Sequence, residues 1–139
     1  MKKTKILIAI FLIAMITASA VLTSCKGDEK VDKVFGSGAK SFIIEITRAD
    51  GTVRKYQIKT DETTVGDALL KADLIPADSK ASGFIATLDG ITAAWDVDQS
   101  YWSVYIGDEY AMEGIFDISI DTKTVYKFVY TTENAAEFD

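Results

Sequence analysis

The residues with the most chemistry to offer are crowded into "AAWDVDQSYWSVYIGDEYAM", Ala93 to Met112. Trp95, Tyr101, Tyr105 and Tyr110 supply flat apolar rings, Met112 a polarisable thioether, and Asp96, Asp98, Asp108 and Glu109 carboxylates. Rings of this kind stack on flat ligands and attract cations, while two carboxylates across a cleft are the minimum for glycoside hydrolysis.

Composition narrows these options. The chain has no histidine, which removes Ser-His-Asp catalysis, histidine zinc sites and the usual proton shuttle at neutral pH. A paired-carboxylate site is the surviving enzymatic reading. With 21 acidic side chains, however, chance pairs are expected, and a short chain leaves little wall for a sugar cleft. The expectation is a protein that is not an enzyme. Calcium fares no better: the acidic run from Asp96 has Tyr101 where a calcium loop needs its sixth-position glycine, and Gly107 where it needs the terminal glutamate. No metal site and no cofactor are expected.

If "YWSVYI" is a strand, Trp102, Val104 and Ile106 share one face and Tyr101, Ser103 and Tyr105 the other. Phe42, Tyr56, Trp102 and Phe128 are expected in the core. For Trp95, Tyr101, Tyr105 and Tyr110, packing and exposure remain open.

The elements that must position these rings follow from periodicity. Phe42, Ile44 and Ile46 alternate with polar neighbours, Asp50-Gly51 supplies a turn, and Tyr56 and Ile58 return inward: a β-hairpin. Val65, Ala68, Leu69 and Ala72 then fall at helical spacing, with Thr64 and Asp67 placed as a capping box and Pro76 beyond the end. Asp89-Gly90 and Gly107-Asp108 mark two further turns, Ile118 and Ile120 suggest an inward row on a strand over Asp117–Asp121, and "TVYKFVYTT" closes the sheet. The order β-β-α-β-β-β-β predicts an α+β domain with one short helix on a small mixed sheet.

The first 24 residues read differently. Lys2, Lys3 and Lys5 precede an uncharged run from Ile6 to Ser24, as in a signal peptide. Leu22-Thr23-Ser24-Cys25 resembles a bacterial lipobox, which assigns lipidation to Cys25, the only cysteine. Acyl chains, at roughly 0.8 kcal/mol per buried methylene, would hold the protein on the outer face of the cytoplasmic membrane. Residues 25–39, polar and glycine-containing, are expected as a flexible tether, residues 40–132 as the domain, and residues 133–139 as a frayed tail. Removing three lysines leaves 12 basic against 21 acidic side chains, a net charge of −9. Nucleic acid is therefore a poor partner, and a cationic or uncharged ligand, or another protein, a better one.

In combination, "SFIIEITRADG", "YQIKTDETTVGDALL", "DGI" with "AAW", "YWSVYIGDEYAMEGI" and "TVYKFVYT" resemble a domain of unknown function found in Gram-positive surface lipoproteins. That domain is similar to the C-terminal β-domain of transcobalamin and intrinsic factor. The resemblance implies a β-grasp-like fold and capture of a corrinoid or another small ligand for a membrane transporter. It implies framework roles for Trp102 and the Gly114-Ile115 step; ligand contacts are then expected from the turn ends and the open face of the sheet, at Trp95, Tyr101, Tyr105, Tyr110 and Met112. The vitamin carriers enclose their ligand with an α-helical domain that this chain lacks. One face covering ~200 Å² of apolar ligand gains ~5 kcal/mol against an association cost of at least ~4 kcal/mol. Tight capture would thus need a transporter or a second binding subunit to complete the site. The alternative is a surface module that binds protein or glycan without any small ligand.

Overall fold

The computed structural model of the chain describes residues 30–133. The expected signal peptide, Cys25 with its expected lipidation, and residues 134–139 lie outside them.

Alternating apolar residues build one six-stranded mixed sheet. Its strands are β1 (Lys33–Gly36), β2 (Lys40–Thr47), β3 (Val53–Thr60), β6 (Ser100–Ile106), β7 (Glu109–Tyr110) and β8 (Val125–Thr132), in the spatial order β1-β3-β2-β8-β6-β7. A separate ribbon pairs β4 (Thr87–Leu88) with β5 (Ile91–Thr92). The hairpin β2–β3 is antiparallel, β8 lies parallel to β2 at the centre, and β6 runs antiparallel to β8, which is the β-grasp arrangement. The expected α+β class is thus what the chain adopts.

On one face of this sheet Phe42, Ile44, Ile46, Tyr56, Ile58, Tyr126 and Phe128 are buried. Helix α1 (Val65–Lys71) covers them with Val65, Ala68 and Leu69, all at most 1% exposed. The helix starts as its sequence dictates: the Thr64 hydroxyl accepts from the Asp67 N–H at 3.2 Å and donates to the Asp67 carboxylate at 2.9 Å. Two further orphan donors of the first turn, Val65 N–H and Gly66 N–H, are taken by the carbonyls of Ile118 and Ile115, each at 2.9 Å. The helix start therefore pins the segment that follows β7. A Cβ on Gly66 would stand 2.5 Å from the Phe116 ring, so any larger residue there would have to displace that ring.

Three expectations need correction. Residues 25–39 are not all tether, since Lys33–Gly36 pairs parallel with Tyr56–Lys59 as an edge strand. Phe35 supplies the reason, its ring lying 5.0 Å from that of Tyr56. Asp117–Asp121 is not a strand. Ile118 is buried as expected, but the backbone is spent on α1, leaving a single bridge from Thr64 to Ser119. The one expected helix is joined by two short ones, α2 (Ser79–Ser82) and α3 (Trp95–Asp98). At the other end Glu133 is still tied to the sheet, its N–H donating to the Gln99 carbonyl at 3.2 Å.

Gly36 ends β1 with φ 74°, and a Cβ there would meet the Lys59 carbonyl oxygen at 2.3 Å. Gly36→Ala is expected to undock β1 at a cost of about 1–2 kcal/mol. Hydrogen exchange checks this, with faster exchange in residues 33–36 and little change in β8.

Candidate functional site

Strand β6 carries the site. Its inward row places Trp102 at 6% exposure on the core, with the indole edge-on to Tyr130 at 5.4 Å. The opposite row, Tyr101 and Tyr105, is half-buried, and Ser103 between them is buried against Thr131, hydroxyl to hydroxyl at 2.8 Å. Trp95 and Tyr110 are 53% and 54% exposed, and Met112 90%.

These rings form two pairs. The Trp95 and Tyr101 centroids lie 6.0 Å apart near the start of β6, and those of Tyr105 and Tyr110 lie 5.5 Å apart and edge-on at its end. Tyr105 and Tyr110 are direct cross-strand partners, because the Gly107-Asp108 turn folds β7 back along β6. The Asp108 carboxylate takes a 2.8 Å bond from Lys127 and is held below the usual carboxylate range by it.

The edge of β6 is only half covered. Glu133 N–H reaches the Gln99 carbonyl, and Gly107 N–H the Val125 carbonyl, so the odd-numbered positions of this strand turn their backbone groups toward β8. The even-numbered positions therefore turn theirs outward. Ile106 meets β7, and Val104 C=O accepts from Ala111 N–H at 2.8 Å. Beyond that point the chain diverges, and β7 pairs only with Tyr105 and Ile106. Trp102 N–H and C=O and Val104 N–H thus face an edge that no strand of the described residues occupies.

A recess of about 260 Å³ lies against this edge, with Trp102, Val104 and Tyr101 on one side and Phe84, Ile85 and Gly114 on the other. A second recess of about 240 Å³ continues toward Trp95 and Ala93, again between Phe84, Ile85 and Tyr101. Together they form a groove along the first half of β6. Of the residues expected to bind, Trp95, Tyr101 and Tyr110 line it, while Tyr105 packs beside it on the half-exposed sheet face. Met112 lies past β7 and lines neither recess.

Phe84, 65% exposed, was not foreseen as a wall residue. Its one sequence signal is position: a large ring directly after Gly83, the left-handed cap of α2 at φ 79°. Such a cap ends the helix, and the ring that follows it is left exposed here. Glu113 also enters the lining, and Gly114, expected only as framework, forms part of the wall.

Of the described residues lining the two recesses, Glu113 alone is charged, and the acidic Asp89 and Asp108 nearby in the sequence are paired with Arg48 and Lys127. Every residue lining either recess comes from the stretch between Lys80 and Lys123, which has no basic residue and eight acidic ones: Asp89, Asp96, Asp98, Asp108, Glu109, Glu113, Asp117 and Asp121. Asp98 is held ionised by its bonds to the Ser100 hydroxyl and N–H, which lower it from the usual carboxylate value. Its other oxygen takes the Tyr130 hydroxyl at 3.4 Å. Among the described residues no three histidine, cysteine or acidic side chains come together as a metal site.

No family model matches the chain, and no curated protein sequence matches it. Among solved structures it is similar to a candidate metal-binding protein of Ruminococcus gnavus ATCC 29149, at 22% identity and a TM-score of 0.61, over 68% of this chain and 98% of that one. It is also similar to haptocorrin in complex with Cbi, at 14% identity and a TM-score of 0.47, over 70% of this chain and 26% of that one. The first likeness is one of fold.

Proposed function

We propose that this chain is a non-enzymatic binding module, anchored through lipidated Cys25 to the outer face of the cytoplasmic membrane, and that the groove along β6 is its binding site. The observation that carries the reading is the lining: exposed Trp95, Phe84 and Tyr110 with half-buried Tyr101, around a recess that no side chain of the described residues fills. An apolar concavity with few polar groups is the ordinary form of a ligand site.

Its size sets the mode of binding. About 260 Å³ admits one arm of a ligand and not a whole corrinoid. A corrinoid, the ligand class that the family resemblance suggests, would insert a side arm and lie across the aromatic rim. Its outward face would be left for a transporter or second subunit to cover. Titrating the full chain in detergent micelles with cobinamide is expected to quench tryptophan fluorescence weakly but in a concentration-dependent way. Tyr101→Ala is expected to weaken this several-fold. No quenching up to high micromolar cobinamide would rule out unaided corrinoid capture.

A second reading, a surface module for protein partners, is favoured by a different observation: the Trp102 N–H and C=O and the Val104 N–H, which face no strand of the described residues and which no small ligand requires.

A further inference from the structure

We propose that the groove along β6 receives an extended, basic peptide segment of a partner protein, which adds to the sheet as a strand beside Ser100–Val104. The proposal rests on the reading of this groove as the binding site and on the second of the two functions above, and it names the partner's chemistry.

Three observations converge on it. The first is the backbone: Trp102 N–H and C=O and Val104 N–H turn away from β8 toward the groove side, where no strand of the described residues pairs with them. A carbonyl and two amides spaced along an edge match the donor and acceptor pattern of another strand. Natural sheets protect such edges with lysine, proline or a bulge, and "SYWSV" has none of these. The second is shape. Five residues at about 3.3 Å each give an edge of roughly 13 Å from the first Cα to the last, and the two recesses follow it from Trp95 to Gly114. Successive side chains of an added strand alternate sides, so an apolar residue can enter the recess beneath Phe84 while its neighbours face outward. The third is charge: Glu113 lines the groove, and of the other seven acidic residues between Lys80 and Lys123 only Asp89 and Asp108 are paired with a basic side chain of the described residues, Arg48 and Lys127, so the stretch keeps a net negative charge. A strand with lysines or arginines beside its apolar anchors is complementary to this field and to the rings of Trp95, Tyr101 and Tyr110. The same field argues against a second copy of this chain as the occupant, since pairing two β6 edges would set like charges against each other.

The probe is a blocked seven-residue peptide alternating lysine with valine and phenylalanine, added to the full chain in detergent micelles at low salt. The expected result is saturable binding with amide exchange at Trp102 and Val104 slowed at least tenfold. Binding should weaken at least tenfold in a glutamate-for-lysine version, and likewise in a version N-methylated on the residues facing β6. Raising salt should weaken it further. Equal binding of the N-methylated peptide, or binding without protection of Trp102 and Val104, would overturn strand addition. So would protection of these amides that grows with protein concentration and needs no peptide, the mark of a second copy. If the peptide fails while cobinamide binds in a Tyr101-dependent way, this inference falls and the groove stands as a small-ligand site. If both probes fail, the groove reading falls with it.

Discussion

Phe128→Ala is expected to remove about 3–5 kcal/mol of unfolding free energy, the upper range for truncating one core side chain. Phe128 is 0% exposed at the centre of the sheet, registered with Ile46 on β2 and with Val104 on β6. Truncation there opens a cavity between the hairpin and the site-bearing strand, and neither can collapse into it without breaking register. A domain of this size has roughly 5–15 kcal/mol in all, so the variant is expected to lose about a fifth or more of its stability. Denaturant titration checks this, through a lower midpoint with an unchanged slope. Val129→Ala, one residue on and facing the half-buried side, is expected to cost under about 1 kcal/mol. Equal losses at the two positions would mean that the assigned core face is wrong.

That contrast follows from a signal legible in the sequence. Period-two alternation places Phe42, Ile44 and Ile46, Tyr56 and Ile58, and Tyr126 and Phe128 on one face, and all seven are buried. The same rule divides β6 into a core row led by Trp102 and an outer row of Tyr101 and Tyr105. Short-range chemistry is equally readable, because a capping box and an Asp-Gly turn need only residues a few positions apart. β1 is not readable. Four residues carry too little alternation to outweigh their polar surroundings, and the strand exists because β3, about 20 positions later, offers a parallel edge and the Tyr56 ring.

The site divides along the same line. Rings on or beside β6 can be nominated from the sequence, since strand, turn and site share one stretch. The far wall cannot. Phe84 and Ile85 reach the groove through α2 and the turn after it, and Glu113 to Ile115 through carbonyls captured by the first turn of α1. Those contacts join segments about 50 residues apart, and nothing periodic announces them. The free edge of β6 is hidden for another reason: it depends on where β7 stops, and two-residue strands have no pattern of their own.

Asp89→Ala is expected to cost about 2–4 kcal/mol, well above the ordinary loss at a surface turn. Asp89 sits at φ 51° and Gly90 at φ 74°, the left-handed pair that a two-residue hairpin loop needs between Leu88 and Ile91. Aspartate tolerates this conformation better than alanine does. One oxygen of its carboxylate takes the Tyr56 hydroxyl at 2.7 Å and the Arg48 guanidinium at 3.0 Å, fastening the β4–β5 ribbon to the β2–β3 hairpin. Removing it strands the hydroxyl of a tyrosine only 7% exposed, a penalty of about 1–3 kcal/mol. It also worsens a site where Arg48 Nε is already buried without a partner. Asp89→Asn, which keeps an acceptor and the backbone preference, should lose less. The bond leaves a signature in alkali. Burial first, and the bond to Asp89 second, raise the Tyr56 hydroxyl above its ordinary value of 10.0. The folded protein therefore keeps this proton where the unfolded chain gives it up. The resulting stability is full below about pH 10 and is lost as pH rises through the higher folded value. Denaturation midpoints from pH 8 to 11 should fall more steeply for the native sequence than for Asp89→Ala, which retains only the burial contribution. Parallel curves would show that the hydroxyl does not depend on Asp89.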